Sequence, residues 1–259
     1  MTAAIGPIWL VGCGAMGGAL LSRWKAVGLR DITIVDPAIP GGLTSPPEMV
    51  PAVIVLAVKP QVWKVAVASM KHTDALVISI MAGVTCAALT AELHRARIVR
   101  TIPNLASGLG KGVTALYGDS RGRVPQIGHG SDRDIATTLM SAAGACFWLD
   151  READFDAVTA VSGSGPAYVF AFIEALAAAG VAAGLSPALS SELALRTVTG
   201  AAALAAQPRA SPALLREAVS SAGGTTLAGL NVLQSNLPAL MRATVAAAQR
   251  RSRELGGIG

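Results

Sequence analysis

Uninterrupted apolar runs alternate with helix-like segments through the first half of the chain. Buried strands are predicted at residues 8–11, 31–35, 53–58, 76–80 and 98–100, and two more at 115–117 and 147–149. Helices are predicted between them at residues 16–27, 62–70, 87–95 and 131–144. Because apolar runs without polar alternation are buried on both faces, this order predicts a parallel sheet with helices on either side.

The second half has a different pattern, rich in Ala and Leu and without a convincing strand. Helix starts are predicted at residues 164–166, 186–187 and 211–212, because serine caps a helix and proline suits its first turn. A last helix is predicted to begin at Pro238 and to end in the basic run of residues 250–253. The predicted fold class is therefore α/β followed by an all-helical part, with domains at residues 1–150 and 151–259.

The composition narrows the classes of protein that fit this pattern. The chain has 259 residues, of which 52% are hydrophobic and 14% charged, so it can bury enough apolar surface to fold and is not a disordered chain. Three cysteines exclude a disulfide scaffold, and without a cysteine and histidine cluster no metal site is predicted. The formal net charge of +5 is too small to indicate a nucleic-acid partner.

One segment raises the question of a membrane. Residues 168–185 are apolar except for Glu174, but their alanines and glycines contribute little transfer free energy into a bilayer. We therefore interpret them as a helix buried in an oligomer rather than as a membrane span. The first residues lack the basic start of a secretory signal, and their apolar stretch runs directly into glycines. Together with the free cysteines, this predicts a cytoplasmic protein without a membrane partner.

A glycine-rich motif follows the first predicted strand and opens the first predicted helix. It has the pattern G-x-G-x-x-G and consists of Gly12, Cys13, Gly14, Ala15, Met16 and Gly17. In a dinucleotide-binding domain the first glycine permits a tight turn, the second admits the pyrophosphate and the third lets the helix pack on the strand. The helix N-terminus then offers free N–H groups to the phosphates. A plain glycine turn in an α/β domain is the alternative.

An acidic residue ends the second predicted strand, about 20 residues after the glycines. In that place Asp36 can accept hydrogen bonds from the adenosine ribose hydroxyls and would repel a 2′-phosphate, which favours NADH. The alternative is a simple turn, since Asp36 and Pro37 also form a turn dipeptide. Residues 37–51 contain five prolines and two consecutive glycines, so no crossover helix is predicted between the second and third strands.

Further motifs stand in order along nearly the whole chain. With the glycine-rich motif they form six blocks, at residues 11–17, 57–61, 79–85, 99–104, 161–168 and 221–226, with the sequences VGCGAMG, AVKPQ, SIMAGVT, VRTIPN, VSGSGPAY and SAGGTT. In these blocks the chain resembles the pyrroline-5-carboxylate reductase family. The last two blocks are the most specific, because many Rossmann enzymes share the first.

The resemblance implies a fold, an activity and an assembly. The fold is an N-terminal Rossmann domain followed by a C-terminal helical domain that forms an intertwined homodimer, and dimers assemble further into rings such as decamers. The activity is an NADPH- or NADH-dependent transfer of hydride to the C=N carbon of 1-pyrroline-5-carboxylate, which gives L-proline. The substrate is thus a small molecule.

The resemblance also implies which residues border the nicotinamide half of the cofactor. Those next to the nicotinamide and its ribose are Ala57, Val58, Lys59, Pro60, Met81, Ala82, Gly83 and Asn104. The contacts near the ribose are made largely through the backbone. For Lys59, a solvated lysine at the end of a strand is the alternative.

A second glycine loop precedes an apolar-periodic helix in the C-terminal half. Two glycines before a helix start direct several N–H groups at one point, which makes a small anion site. The resemblance implies that Ser221, Gly223, Gly224 and Thr225 bind the substrate and that the Thr226 hydroxyl contacts its ring nitrogen as the catalytic residue. Its pKa is too high for a sole acid, so the proton comes from solvent or the iminium binds preformed. The alternative is that Ser221 and Thr226 cap the helix.

The chain departs from the family pattern in the shortened segment after Asp36, in Leu105 and Ala106 where the family has Thr-Pro, and in Ala222 where it has proline. Two other functions stay open: a related imine or β-hydroxyacid reductase, and a dinucleotide-binding sensor without turnover. A β-hydroxyacid reductase would be expected to use a lysine on the first helix of the second domain. Residues 158–183 contain no lysine, which counts against it.

Overall fold

The computed structural model describes residues 5–118, 131–207 and 211–256. The chain divides into two compact units. The first unit comprises Met1–Ser164 together with Ala248–Gly259, and the second comprises Gly165–Ala247.

A seven-stranded sheet forms the centre of the first unit. Its strands are β1 (Ile8–Val11), β2 (Ile32–Val35), β3 (Val53–Leu56), β4 (Leu76–Ser79), β5 (Arg97–Ile102), β6 (Gly112–Gly118) and β7 (Gly144–Trp148). The strand order is β2-β1-β3-β4-β5-β6-β7. The first five are parallel, as predicted, but β6 runs antiparallel to β5, and β7 is parallel to β6. The mixed sheet arises because a short connection of residues 103–111 follows β5 and leaves no helix long enough for a parallel crossover.

Five α-helices accompany this sheet in the described part of the first unit before residue 165. They are α1 (Ala15–Ala26), α2 (Trp63–Ala66), α3 (Cys86–Glu92), α4 (Asp132–Ser141) and α5 (Phe155–Val158). The helix predicted at residues 62–70 is shorter than expected, because α2 ends early and a 3-10 turn at Ala68–Met70 follows it. Its β-branched valines lose side-chain freedom in a helix, which disfavours a longer one.

Alternate residues of the central strands face opposite sides of the sheet and build two apolar clusters. From β1, Ile8 and Leu10 enter the cluster that α1 and α4 cover, whereas Trp9 and Val11 enter the cluster that α2 and α3 cover. Between α1 and α4 the buried Trp24 donates its indole N–H to the Leu139 carbonyl at 2.7 Å. Burial on both faces is what the unbroken apolar runs predict.

No helix connects β2 to β3, as the prolines of residues 37–51 predict. The chain instead turns back on the end of β2. The Leu43 N–H donates to the Ile34 carbonyl at 2.9 Å, and Leu43 forms an isolated parallel bridge with Val35. This short return leaves the end of β2 close to the glycine-rich loop.

The described part of the second unit is helical. Its helices are α6 (Gly165–Ala182), α7 (Pro187–Ala205), α8 (Pro212–Ala218) and α9 (Thr225–Gly256), of which α9 continues into the first unit. The Ser190 hydroxyl on α7 donates to the Ala177 carbonyl of α6 at 2.6 Å, which ties these two helices together. The prediction of an all-helical second half is therefore confirmed for the described residues.

The predicted start of the last helix is wrong. Pro238 lies inside α9, which already begins at Thr225. Proline removes one backbone hydrogen bond from a helix interior, but the helix-forming residues on both sides continue the helix across it. The predicted caps also differ from each other: Ser186 accepts from the Leu189 N–H at 3.4 Å, whereas Ser211 makes no side-chain cap bond to α8.

The apolar helix of the second half is exposed in the single chain. By length and composition, the described residues contain one helical run that could cross a membrane, Glu152–Ala182, with a mean hydropathy of 1.5 in its most apolar window. None of that window is buried within the chain. The predicted burial of this helix therefore requires surface from outside the single chain.

Candidate active site

The glycine-rich loop joins the carboxyl end of β1 to α1, and two of its glycines have no room for a side chain. Gly12 has φ +89°, and a Cβ there would lie 2.8 Å from the carbonyl carbon and oxygen of Ala57. A Cβ at Gly17 would lie 2.5 Å from the Gly12 carbonyl oxygen. These two positions hold the helix tightly against the strands.

The middle glycine faces open space. No atom lies within 4 Å of a Cβ built on Gly14, so the absence of a side chain there leaves a cradle over the start of α1. No side chain caps α1, and its first turn contains no acidic residue. The first N–H groups of a helix have no partner within it and carry the positive end of its dipole. The cradle therefore fits the pyrophosphate of a dinucleotide.

The loop lies where the strand order of the sheet reverses. In the sheet β2 lies on one side of β1 and β3 lies on the other. Open α/β sheets bind ligands at the carboxyl ends of the strands where the strand order reverses in this way. Ala57 and Val58 follow β3 at this edge, and the Ala57 N–H donates to the Val11 carbonyl at 2.8 Å. Lys59 and Pro60 come next and are exposed.

Asp36 is bonded directly to the glycine-rich loop. Its Oδ2 accepts from the Cys13 N–H at 2.7 Å, and its Oδ1 accepts from the Ala38 N–H at 2.9 Å. The carboxylate thus serves the turn that the alternative interpretation predicts, while it also borders the dinucleotide cradle.

The same carboxylate affects the thiol of Cys13. Burial raises the pKa of the Cys13 thiol, Asp36 raises it further, and the charge of Lys25 lowers it in part. The thiol therefore stays protonated at neutral pH and is a poor nucleophile.

The turn after β4 places Met81, Ala82 and Gly83 at the same edge of the sheet. The Met81 side chain is buried in the cluster beneath α2 and α3, and its N–H donates to the Ser79 hydroxyl at 3.3 Å. Gly83 has φ +78°, and a Cβ there would lie 3.4 Å from the Leu255 carbonyl oxygen of α9. Ala82 is exposed. What this turn offers a ligand is thus mainly backbone and the small Ala82 side chain.

Both ends of the Asn104 amide are used within the chain. Its Nδ2 donates to the Ser162 carbonyl at 3.1 Å, and its Oδ1 accepts from the Val113 N–H at 3.1 Å. The side chain thereby fixes the connection after β5 to the start of β6 and to residue 162.

The second glycine loop lies in the second unit, directly before α9. The Gly224 N–H donates to the Ser221 carbonyl at 3.0 Å, and Gly223 has φ +72° with open space around it. In the described chain the hydroxyls of Ser221, Thr225 and Thr226 make no hydrogen bond. The cap bonds that the alternative interpretation expects from Ser221 and Thr226 are therefore not formed, and their hydroxyls are free for a ligand.

The structure also contains a charged cluster that sequence reasoning did not identify. The Arg100 guanidinium bonds Glu152 Oε1 at 3.0 Å and lies over the Phe155 ring, 4.5 Å from its centroid. The same Glu152 oxygen accepts from the Cys86 N–H at the start of α3 at 2.7 Å. The cluster borders a cleft of about 290 Å³ that Thr85 also lines. An arginine in the middle of a buried strand was the signal that could have indicated it.

The predicted residues fall into two sets. The structure brings together the cofactor residues at one edge of the sheet in the first unit, and it brings together the substrate residues in the loop before α9 in the second unit. Among the described residues, no group of three His, Cys, Asp or Glu side chains is placed to hold a metal ion.

The comparisons with known proteins agree with one another. A family profile described as pyrroline-5-carboxylate reductase dimerisation matches residues 152–255. The chain is 42% identical over 208 residues to pyrroline-5-carboxylate reductase of Pseudomonas aeruginosa, which covers 78% of this chain and 74% of that protein.

Two solved structures have the same fold. The pyrroline-5-carboxylate reductase of Coxiella burnetii superposes with a TM-score of 0.88 at 31% identity, covering 97% of this chain and 98% of that one. The Plasmodium falciparum pyrroline carboxylate reductase with NADP bound gives a TM-score of 0.80 at 26% identity, with the same coverage. The predicted fold class, a Rossmann domain followed by a helical dimerisation domain, is confirmed. The identity and its extent show that this chain belongs to the pyrroline-5-carboxylate reductase family.

Proposed function

We propose that the protein reduces 1-pyrroline-5-carboxylate to L-proline, the last step of proline synthesis. The observation that carries this proposal is the 42% identity to a pyrroline-5-carboxylate reductase over most of both chains. A reduced nicotinamide supplies the hydride when it is bound. The chain itself would hold the cofactor and the substrate and orient the imine nitrogen.

The cofactor is held by the loops at the carboxyl edge of the sheet. The cradle over Gly14 and the free N–H groups at the start of α1 would hold the pyrophosphate. Asp36 borders the adenosine ribose. The nicotinamide half is bordered by Ala57, Val58, Lys59, Pro60, Met81, Ala82, Gly83 and Asn104.

The substrate is held by the loop before α9. Its carboxylate accepts hydrogen bonds from the N–H groups at the start of α9, with Ser221, Gly223, Gly224 and Thr225 around it. The Thr226 hydroxyl contacts the ring nitrogen. The absence of hydrogen bonds from these hydroxyls in the described chain supports this assignment over a capping role.

The proton on the ring nitrogen does not originate from Thr226. An aliphatic hydroxyl is too weak an acid at neutral pH to donate its proton alone. Thr226 therefore orients the nitrogen by hydrogen bonding, and the proton comes from solvent or arrives with a preformed iminium.

The assembly is a homodimer formed through the C-terminal helices, with a ring such as a decamer as a further state. The match of residues 152–255 to a dimerisation profile and the exposed apolar helix α6 support the dimer. We assign residues 1–150 to the dinucleotide-binding domain and residues 151–259 to the dimerisation and substrate domain. The protein acts in the cytoplasm, with neither nucleic acid nor a membrane as a partner.

Three other functions would require different features of the same chain. A β-hydroxyacid reductase would be expected to have a lysine in residues 158–183, which contain none. A sensor without turnover has no need for free hydroxyls in the loop before α9. An imine reductase whose substrate has no carboxylate would make no use of the anion site proposed in that loop.

Thr226→Ala tests the proposed substrate contact. We expect kcat/KM for 1-pyrroline-5-carboxylate to fall by about 10²-fold, because one oriented hydrogen bond to the reacting group is lost. The dinucleotide affinity should stay near that of the unchanged protein. Thr226→Ser keeps the hydroxyl and should restore most of the activity.

Thr199→Ala is the matched control for this experiment. The Thr199 hydroxyl donates to backbone carbonyls of its own helix, so its removal should leave kcat/KM unchanged. If Thr226→Ala were as active as the control, Thr226 would not contact the substrate.

A further inference from the structure

A fixed carboxylate borders the dinucleotide cradle, and no basic residue follows it in the loop. We propose that the protein selects NADH over NADPH and that Asp36 is the residue that discriminates between them. The inference rests on the proposed function in one respect, the use of a nicotinamide dinucleotide at this edge of the sheet.

The carboxylate cannot easily move away from an arriving ligand. Its two oxygens accept from the N–H groups of Cys13 at 2.7 Å and Ala38 at 2.9 Å, one on each side. The Cys13 N–H belongs to the loop that would hold the pyrophosphate. A rotation of Asp36 would therefore break a hydrogen bond that shapes the cofactor site itself.

Asp36 still has acceptor capacity for a ribose. An ionised carboxylate has about four acceptor positions, and the two backbone N–H groups occupy two of them. Ribose hydroxyls can donate to the others. A 2′-phosphate has no proton to donate in its fully ionised form and brings negative charge against negative charge, which is unfavourable.

The segment after Asp36 offers no cation to compensate. Residues 37–52 contain no Lys or Arg, and their one charged residue is Glu48. The segment also turns tightly at once: the Ile39 N–H donates to the Asp36 carbonyl at 3.3 Å, and the Gly42 N–H donates to the Ile39 carbonyl at 2.9 Å. A 2′-phosphate needs an Arg or Lys partner, and this turn supplies none.

Two lysines outside this segment, Lys25 and Lys59, carry positive charge in the first unit. Lys25, near the end of α1, acts on the Cys13 thiol, but its influence on the pKa of that thiol is smaller than the opposite influence of Asp36. Lys59 follows β3 and is exposed, on the side of the site assigned to the nicotinamide ribose. At the Cys13 thiol the influence of Asp36 on the pKa therefore exceeds that of Lys25.

The NADP in the Plasmodium falciparum relative shows that this fold admits the 2′-phosphate. Selection against it in this chain therefore depends on individual side chains at the end of β2, above all on Asp36 and on the missing basic residue after it.

The test measures dinucleotide binding by titration calorimetry, without the imine substrate. For the unchanged protein we expect Kd for NADH to be at least about tenfold lower than Kd for NADPH. In Asp36→Asn the like charge is removed while one acceptor remains, and the ratio of the two Kd values should fall by at least about tenfold.

Asp31→Asn is the matched control, because it removes the same charge at the other end of the same strand. Asp31 has φ +60°, a conformation that asparagine tolerates well, so the variant should fold. Its Kd ratio should equal that of the unchanged protein. Asp36→Ser provides a second neutral variant if Asp36→Asn does not fold.

Equal or tighter binding of NADPH by the unchanged protein would overturn the inference. So would a folded Asp36→Asn variant with an unchanged ratio. The outcome is separable from that of the proposed reaction. NADH-selective binding without reduction of 1-pyrroline-5-carboxylate rejects the reaction alone, whereas reduction with tighter NADPH binding rejects the inference alone.

Discussion

The two compact units differ in where their apolar side chains lie. In the first unit the central strands β1, β3 and β4 are buried along their whole length between two helix-covered faces. In the second unit the described parts of α6, α7 and α8 bury two residues, Ser190 and Ala194. The first unit thus has its core within one chain, whereas the second presents its apolar surface outward.

This difference shows where part of the high apolar content of the chain lies, namely on the exposed helix faces of the second unit. Large apolar residues of α6 such as Phe170 and Phe172 are about half exposed in the single chain. Contiguous apolar surface of this kind is typical of an interface. The dimerisation profile covers this region, which supports burial of this apolar surface by oligomerisation.

The largest expected effect is the loss of a core side chain in the first unit. Leu10→Ala removes a fully buried leucine of β1 and should lower the free energy of unfolding by about 2–5 kcal/mol. Denaturant unfolding at fixed protein concentration measures it. Leu109→Ala, at a leucine that is 77% exposed, should change stability by less than about 0.5 kcal/mol. Equal losses in the two variants would contradict a core within the chain.

The next effect concerns the exposed face of the second unit. Phe172→Glu places a charge where a partner chain would bury an aromatic ring, and it should weaken the dimer by about 2–4 kcal/mol. Sedimentation at several protein concentrations would then show monomer. Val50→Glu, in the exposed segment after β2, introduces the same charge and should leave the dimer intact. If the Phe172→Glu variant dimerised normally, Phe172 of α6 would not lie in the dimer interface.

The smallest effect compares helix caps between the units. Ser131 caps α4 with a full capping box, so Ser131→Ala should cost about 1 kcal/mol. Ser211 precedes α8 without a side-chain cap bond, so Ser211→Ala should cost almost nothing. Thermal unfolding of the two variants side by side measures the difference, and a costly Ser211→Ala would show a bond that the free chain lacks.

Sequence patterns predicted the strands of the first unit well where burial alone determines which residues form a strand. The strands at Ile8–Val11 and Val53–Leu56 are recognisable because both faces are covered and every residue is apolar. The direction of β6 could not be predicted, since an apolar run does not show whether the preceding connection allows a parallel return. A helix after the second glycine loop was predicted, but its continuation through Pro238 was not, because Pro238 resembles a first-turn proline. Whether a helix continues across a proline depends on the residues on both sides.

The candidate site shows a similar division. The glycine spacing predicted the cradle at Gly14, because backbone close approach requires glycine whatever surrounds it. Two contacts join residues that lie far apart along the chain. They are the hydrogen bond from the Cys13 N–H to Asp36 and the ion pair between Arg100 and Glu152. Such contacts follow from the strand order and the turns, which no local pattern contains.

The most direct test of the central claim is the reduction of 1-pyrroline-5-carboxylate by the purified protein. The reaction is followed by the loss of reduced-nicotinamide absorbance with NADH and NADPH in turn, and the product is identified by mass spectrometry. We expect L-proline to form in an amount equal to that of the dinucleotide oxidised. No turnover with either dinucleotide, from a folded protein that binds NADH, would contradict it.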